Sequence, residues 1–292
     1  MPRRLSNSLA ADIHAALLEY VGTTVFLLLG LGGIQAAAAA GNATPGTASA
    51  LTHVLYMATA MGLSLLVAAW LFFRVTGGLF NPNVSLALLL VGVIGPLRCA
   101  LYTVAQLAGA ITAAALLLAL TPGPLSVNTS LAQGVNVAQG TFIEMFITAA
   151  LVLAVLMLAA EKHTTTPFAP IGIGLTLFSG HLFAVYYTGA AMNSARAFGP
   201  AAVTGFADGQ HWVYWVGPYL GALLAVAFYT LLKHYEYWTL VPHQASVDAD
   251  KSPPNPVDKL KKSDGGGTRG SRDGDVAAGR SGGRQSDVAS AV

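Results

Sequence analysis

Charge is what this chain has least of. Only 10% of its 292 residues are Asp, Glu, Lys or Arg, while 54% are hydrophobic. A soluble domain carries about 25% charged residues, so an ordinary water-facing surface is excluded and a polytopic membrane protein is indicated. Cysteine is nearly absent too: Cys99 stands alone, which excludes an intrachain disulfide. No metal-ligand spacing, nucleotide-cradling glycine loop or nucleophile beside a base occurs, so neither an enzyme nor a bound cofactor is expected. A net charge of +2 gives no footprint for nucleic acid. The one basic run, Lys259 to Lys262, suits anionic lipid better. Arg3 and Arg4 precede the first apolar run with no small-residue cleavage site, so no cleaved signal peptide is expected.

What is there is long apolar segments. Spans are expected at 12–34, 51–73, 97–120, 141–160, 167–187 and 211–233. A polar arm (1–11) precedes them, an Ala/Gly/Thr loop fills 35–50, and a loop rich in Pro, Gly, Asn and Ser fills 121–138. Tyr235, Tyr237 and Trp238 close the last span as an interfacial aromatic belt. From about 241 the chain changes character: Lys251-Ser-Pro-Pro-Asn-Pro, Lys259 to Lys262 and Gly265-Gly-Gly have almost no apolar content, and a disordered tail is expected over 241–292, with serines such as Ser252 and Ser263 open to phosphorylation.

Lys and Arg are missing from loops 35–50 and 121–138 and present in the N-terminal arm, at Arg74, Arg98 and Lys162, and in the tail. That bias places both termini in the cytoplasm. Asn42 and Asn128 head glycosylation sequons in the two loops that would then lie outside.

Two stretches break the apolar pattern. Thr76-Gly-Gly-Leu-Phe-Asn81-Pro82-Asn83 recurs, 112 residues on, as Thr188-Gly-Ala-Ala-Met-Asn193-Ser194-Ala195. Each Asn can cap a short helix through its side-chain oxygen. Pro82 falls at the first helical position, where its missing N–H is not needed, and Ser194 takes the equivalent place. Each apolar run that follows is short and meets a Gly-Pro pair, Gly95-Pro96 or Gly199-Pro200. About ten residues reach roughly halfway through a ~30 Å hydrocarbon core. The same 112-residue spacing relates Gly62-Leu-Ser-Leu65 to Gly174-Leu-Thr-Leu177, Tyr102 to Tyr214, and Gly109-Ala110 to Gly221-Ala222. The repeats run from about 12 to 120 and from 141 to 233. Three spans per repeat make the halves inverted, and paired interruptions in such halves mark a transport site. The expected fold is an all-α membrane protein of six transmembrane helices plus two re-entrant half-helices, over residues 12–240.

These features resemble the aquaporin (major intrinsic protein) family. Met192-Asn-Ser-Ala-Arg196-Ala-Phe-Gly-Pro200 and Gly77-Gly-Leu-Phe-Asn81-Pro-Asn-Val are similar to the family's two Asn-Pro-Ala boxes, and His211-Trp-Val-Tyr-Trp215-Val-Gly-Pro218 to its sixth-span opening. The resemblance implies a passive water channel in which Asn81 and Asn193 present amides to a single file of water. It implies that Glu19 and Glu144 brace the re-entrant loops, and that Met61, His181, Ala190 and Arg196 form the selectivity constriction. It implies a homotetramer in a lipid bilayer, with the plasma membrane as the expected location. His181, and Ala197 directly after Arg196, match the water-selective branch over the glycerol branch; Met61 stands where Phe is usual and opens the mouth toward hydrogen peroxide. Leu79 stands where many members carry His.

The boxes depart from the family at two positions. Asn83 replaces Ala and Ser194 replaces Pro. Either Asn83 bonds to Ser194 across the contact, or it intrudes on the lumen. Two other readings stand beside the water channel: a secondary transporter, which the scarcity of intramembrane charge disfavours, and a structural or gated protein that conducts poorly.

Overall fold

The computed structural model describes residues 2–43, 50–206 and 209–244, with positions 247 and 252 beyond them; the side chains of residues 2–8, 42 and 43 are not described. The chain divides into two units, Met1–Ala245 and Ser246–Val292, and the architecture here is that of the first. Most of the expected tail lies outside the described residues, including the basic run Lys259 to Lys262 and every tail serine except Ser252.

Eight α-helices occur among the described residues: α1 Pro2–Ala43, α2 Ala50–Phe72, α3 Pro82–Leu90, α4 Pro96–Leu120, α5 Val137–Val155, α6 Ala169–Thr188, α7 Ser194–Thr204 and α8 Val213–His234. A π-helical turn, Leu156–Ala160, prolongs α5. Six of these are long and apolar enough to cross a membrane, α3 and α7 being the two short ones. Their packing repeats itself. α1 lies against α2 and α4, and α5 lies against α6 and α8. α2 and α6 face each other, while α3 reaches α8 and α7 reaches α4. Each half-helix is therefore held by the other half of the molecule as well as its own.

Lipid tails are as apolar as leucine, so helices in a membrane associate through close packing rather than by escaping water. Repeat-matched glycines supply it. A methyl group on Gly62 would sit 2.5 Å from Phe178 Cβ, and one on Gly174 would sit 2.5 Å from Leu66 Cβ. This is where α2 and α6 touch. Gly109 of α4 and Gly221 of α8 likewise press on the backbone oxygens of Tyr20 in α1 and Met145 in α5. Large apolar side chains such as Leu71, Val104 and Leu120 face outward, as a lipid-exposed surface requires.

Several boundaries differ from the sequence expectation. The loop expected at 35–50 is helical as far as Ala43, because the run Ala36 to Ala40 is the strongest of helix formers and no breaker interrupts it. Asn42 therefore sits in the last turn of a helix and not in a loop. The arm expected at 1–11 is helical from Pro2, continuous with the span. The fourth span starts at Val137, four residues early, because Asn136 and Gln139 form a reciprocal capping box. That spacing was readable in the sequence. The second half-helix does not stop at Gly199-Pro200 but runs through Pro200 to Thr204.

Candidate functional site

The two interrupted loops meet inside the bundle and mirror each other residue by residue. Asn81 caps α3, and its Oδ1 accepts from Asn83 N at 2.9 Å. Asn193 caps α7, and its Oδ1 accepts from Ala195 N at 2.9 Å and Arg196 N at 3.3 Å. Both cap residues are extended, with φ of −151° and −159°. The amide groups then cross over. Asn81 Nδ2 donates to Met192 O at 2.8 Å, and Asn193 Nδ2 donates to Phe80 O at 2.8 Å.

Those carbonyls are aimed by unusual backbone. Phe80 and Met192 have φ of 52° and 51°, in the left-handed region that L-residues with side chains enter only at a cost of roughly 1 kcal/mol or more. A buried carboxylate holds each turn. Glu144 Oε2 accepts from Met192 N at 2.9 Å, while its Oε1 accepts from Ala191 N at 3.0 Å and from the Thr188 hydroxyl at 2.6 Å. Glu19 Oε1 accepts from Phe80 N at 2.5 Å and from Gln106 Nε2 at 3.0 Å, and its Oε2 makes no hydrogen bond of normal geometry. The loops are further tied by Tyr102, whose hydroxyl donates to Thr76 O at 3.0 Å, and by Tyr214, whose hydroxyl donates to Thr188 O at 2.8 Å.

Asn83 and Ser194 are both fully buried. Asn83 Oδ1 accepts from Ser194 N at 3.0 Å and lies 3.1 Å from the Ser194 hydroxyl, which also reaches Tyr214 O at 3.0 Å. Asn83 is not among the residues lining the cavity described next. Of the two arrangements open in the sequence, the cross-contact bond is the one adopted.

A cavity of about 350 Å³ runs beside these loops. Asn81, Asn193, Met61 and Arg196 line it, so four of the expected residues are brought together. Its remaining wall is mainly apolar, including Leu79, Val84 and Leu177. Arg196 is 1% exposed and is held in place by backbone oxygens: Nη1 donates to Val127 O at 3.0 Å and Nη2 reaches Gly189 O at 3.4 Å. Its Nε has no partner. His181 and Ala190 are fully buried but do not line this cavity. His181 Nδ1 lies 3.0 Å from Leu177 O. A carbonyl only accepts, so Nδ1 carries the proton and Nε2, which has no partner, is left as an acceptor. Pro82 and Ala195 are buried at the start of their half-helices. Asn128 is exposed, with Nδ2 donating to the Thr204 hydroxyl at 2.8 Å.

Two ion pairs that the sequence did not disclose lie at one face of the bundle. Arg98 meets Asp12 at 2.6 Å, joining the first turn of α4 to α1 about three turns from its start. Lys233 meets Glu161 at 2.8 Å, joining the ends of α8 and α5. Burial pushes the Glu161 carboxyl up, but hydrogen bonds from Lys233 and Tyr229 outweigh it and hold the group below its ordinary value.

This geometry has known relatives. The major intrinsic protein family model matches residues 6–229. An aquaporin of Laccaria bicolor is 66% identical over 258 residues, which are 88% of this chain and 83% of that protein. Aquaporin-1 of Laccaria bicolor is 65% identical over the same length and shares. Among solved structures, the aquaglyceroporin from Plasmodium falciparum superposes with a TM-score of 0.64 at 19% identity, over 79% of this chain and 99% of that one. At that identity the likeness bears on the fold alone.

Proposed function

The chain belongs to the major intrinsic protein family of membrane channels, and from that premise we propose that it is a passive water channel that excludes protons and ions. One observation carries the reading: two half-helix N-termini meet inside the bundle, and their capping asparagines line one cavity.

Each carboxamide has two N–H donors. One of Asn81 is spent on Met192 O and one of Asn193 on Phe80 O. The second donor of each is free for a passing water oxygen. The two helix N-termini add positive potential, equivalent to about half a charge each. A water held there turns its own hydrogens outward in both directions. That orientation breaks a proton-conducting chain, and the potential repels cations.

In this reading the passage continues past the described cavity between Arg196 and His181, which form the selectivity constriction although His181 lies outside that cavity's lining. Arg196 offers an unpartnered Nε–H and a fixed charge, and His181 offers Nε2 as an acceptor. Water can satisfy a donor and an acceptor at once in little space. A bulkier polyol must leave one of its own hydroxyls unpaired, so glycerol is rejected. Met61 on the lining favours a second permeant, hydrogen peroxide, because a thioether side chain is flexible and polarizable. Glu19 and Glu144 serve as braces and not as proton relays, since their oxygens take loop N–H groups. The absence of Lys and Arg from residues 35–50 and 121–138 supports cytoplasmic termini.

Stopped-flow shrinkage of proteoliposomes tests the reading, run once with an impermeant osmolyte and once with a glycerol gradient. Fast, low-activation-energy water flux without glycerol entry is expected. Glycerol entry at a comparable rate would remove the proposed constriction, and no flux of either would remove the channel reading for water.

A further inference from the structure

The two departures from the box pattern explain each other. A proline at the first position of α7 would have no N–H. Ser194 has one, in the first turn of a helix whose opening donors have no intrahelical partner. The Asn193 cap accepts from Ala195 and Arg196 but not from Ser194. That leaves one buried donor, and Asn83 Oδ1 reaches across from α3 to accept it at 3.0 Å. The N–H also fixes which way the Asn83 amide points, since a donor must face Oδ1 and not Nδ2. By the 112-residue spacing, the counterpart of Asn83 is Ala195 and that of Ser194 is Pro82. Neither counterpart can make such a bond. The bridge thus exists once, in a contact that is otherwise twofold.

We infer that Asn83 is a positioning residue: through Ser194 it sets the register between the N-termini of α3 and α7, and thereby the spacing of the Asn81 and Asn193 amides along the cavity. This rests on the water-channel reading. Asn83 is fully buried and off the cavity's lining. It lies two residues from one cap and bonds to the residue directly after the other, so a shift at the bridge is passed to both caps. A fully buried donor that loses its acceptor disfavours the arrangement by about tenfold in population.

A double-variant cycle tests the pairing. N83A leaves the Ser194 N–H unpaired. S194P removes that N–H but leaves the Asn83 carboxamide with nothing to accept. N83A/S194P removes both needs together and makes the two boxes alike. Unit water permeability, normalised to folded tetramer or monomer in proteoliposomes, is expected to fall about tenfold in each single variant and to return to within about twofold of the parent in the double. The ratio of proton leak to water flux, which a loss of folded protein would not move, is expected to rise in the singles and return in the double. Additive losses, or a single N83A variant with parental permeability and parental proton leak, would overturn the inference. If N83A fails to accumulate but N83A/S194P does, the rescue itself supports the pairing. If neither accumulates, the pairing is wrong, because a matched contact must fold. A parent that moves no water removes the channel reading separately. The pairing is then decided by hydrogen exchange at the Ser194 amide, which N83A must speed if the bond exists.

Discussion

The two halves of this molecule are built on one plan and finished differently. In both, a buried glutamate holds a left-handed turn, a tyrosine hydroxyl ties the loop, and an asparagine caps a half-helix while donating to the other half. The second half is the more heavily anchored. Glu144 holds three close donors through two oxygens, where Glu19 holds two close donors through one, with Thr76 and Leu79 as weaker partners. Asn193 takes two helix N–H groups and Asn81 takes one. Both cations on the cavity's lining, Arg196 and Lys162, belong to the second half, and Arg196 corresponds to Val84 in the first. The lesson is that duplicated backbone supplies the paired N-termini, while the contacts around them are set by side chains that are not duplicated.

Breaking the anchors should give the largest difference between halves. E144A strands the buried N–H groups of Ala191 and Met192, at about 1–3 kcal/mol each. Its thermal midpoint in detergent should fall further than that of E19A, which strands the Phe80 N–H. Equal losses would mean that the extra bonds of Glu144 do not contribute. Next comes the charge. R196V copies the first half's residue into the second, and should let glycerol into proteoliposomes while water still passes. Continued glycerol exclusion would place the selectivity elsewhere. The caps come third: N193A should lower the midpoint more than N81A, with a helix cap worth about 1 kcal/mol.

The smallest effect belongs to the ion pairs, one per half and both on the same face. Glu161 is held below its ordinary value, so its pairing with Lys233 stabilises above the unfolded value of about 4.3 and is lost as pH falls through the lower folded value. Lys233 is 41% exposed, so the effect is small and weakens in salt. E161Q should lower the midpoint slightly at neutral pH and leave it at the parental value in acid, so that the acid limb below about pH 5 flattens. A parental acid limb in E161Q would assign that limb to other carboxylates.

Much of this plan was legible before any coordinates. The composition, the six apolar runs and the 112-residue spacing were enough for six spans and two half-helices in inverted halves, because a bilayer imposes length and apolarity on anything that crosses it. The capping asparagines were legible because Asn before a short apolar run has few other uses. Helix ends were harder. Ala36 to Ala40 read as a loop from its small residues although its intrinsic preference is helical, and Gly199-Pro200 read as a stop although the helix continues to Thr204.

By itself, the sequence determined the number of crossings, the duplication, and the two places where an asparagine starts a half-helix. These depend on local patterns and on a uniform solvent, the membrane. Only the tertiary structure decided the rest. It chose the Asn83–Ser194 bond over an obstructed lumen, sent each asparagine amide to the opposite loop, and put Met61 and Arg196 on one cavity while His181 and Ala190 stay outside its lining. The physical reason is that these contacts join residues far apart in the chain. Their geometry is set where α2 meets α6 and α3 meets α7, and no local pattern encodes that distance.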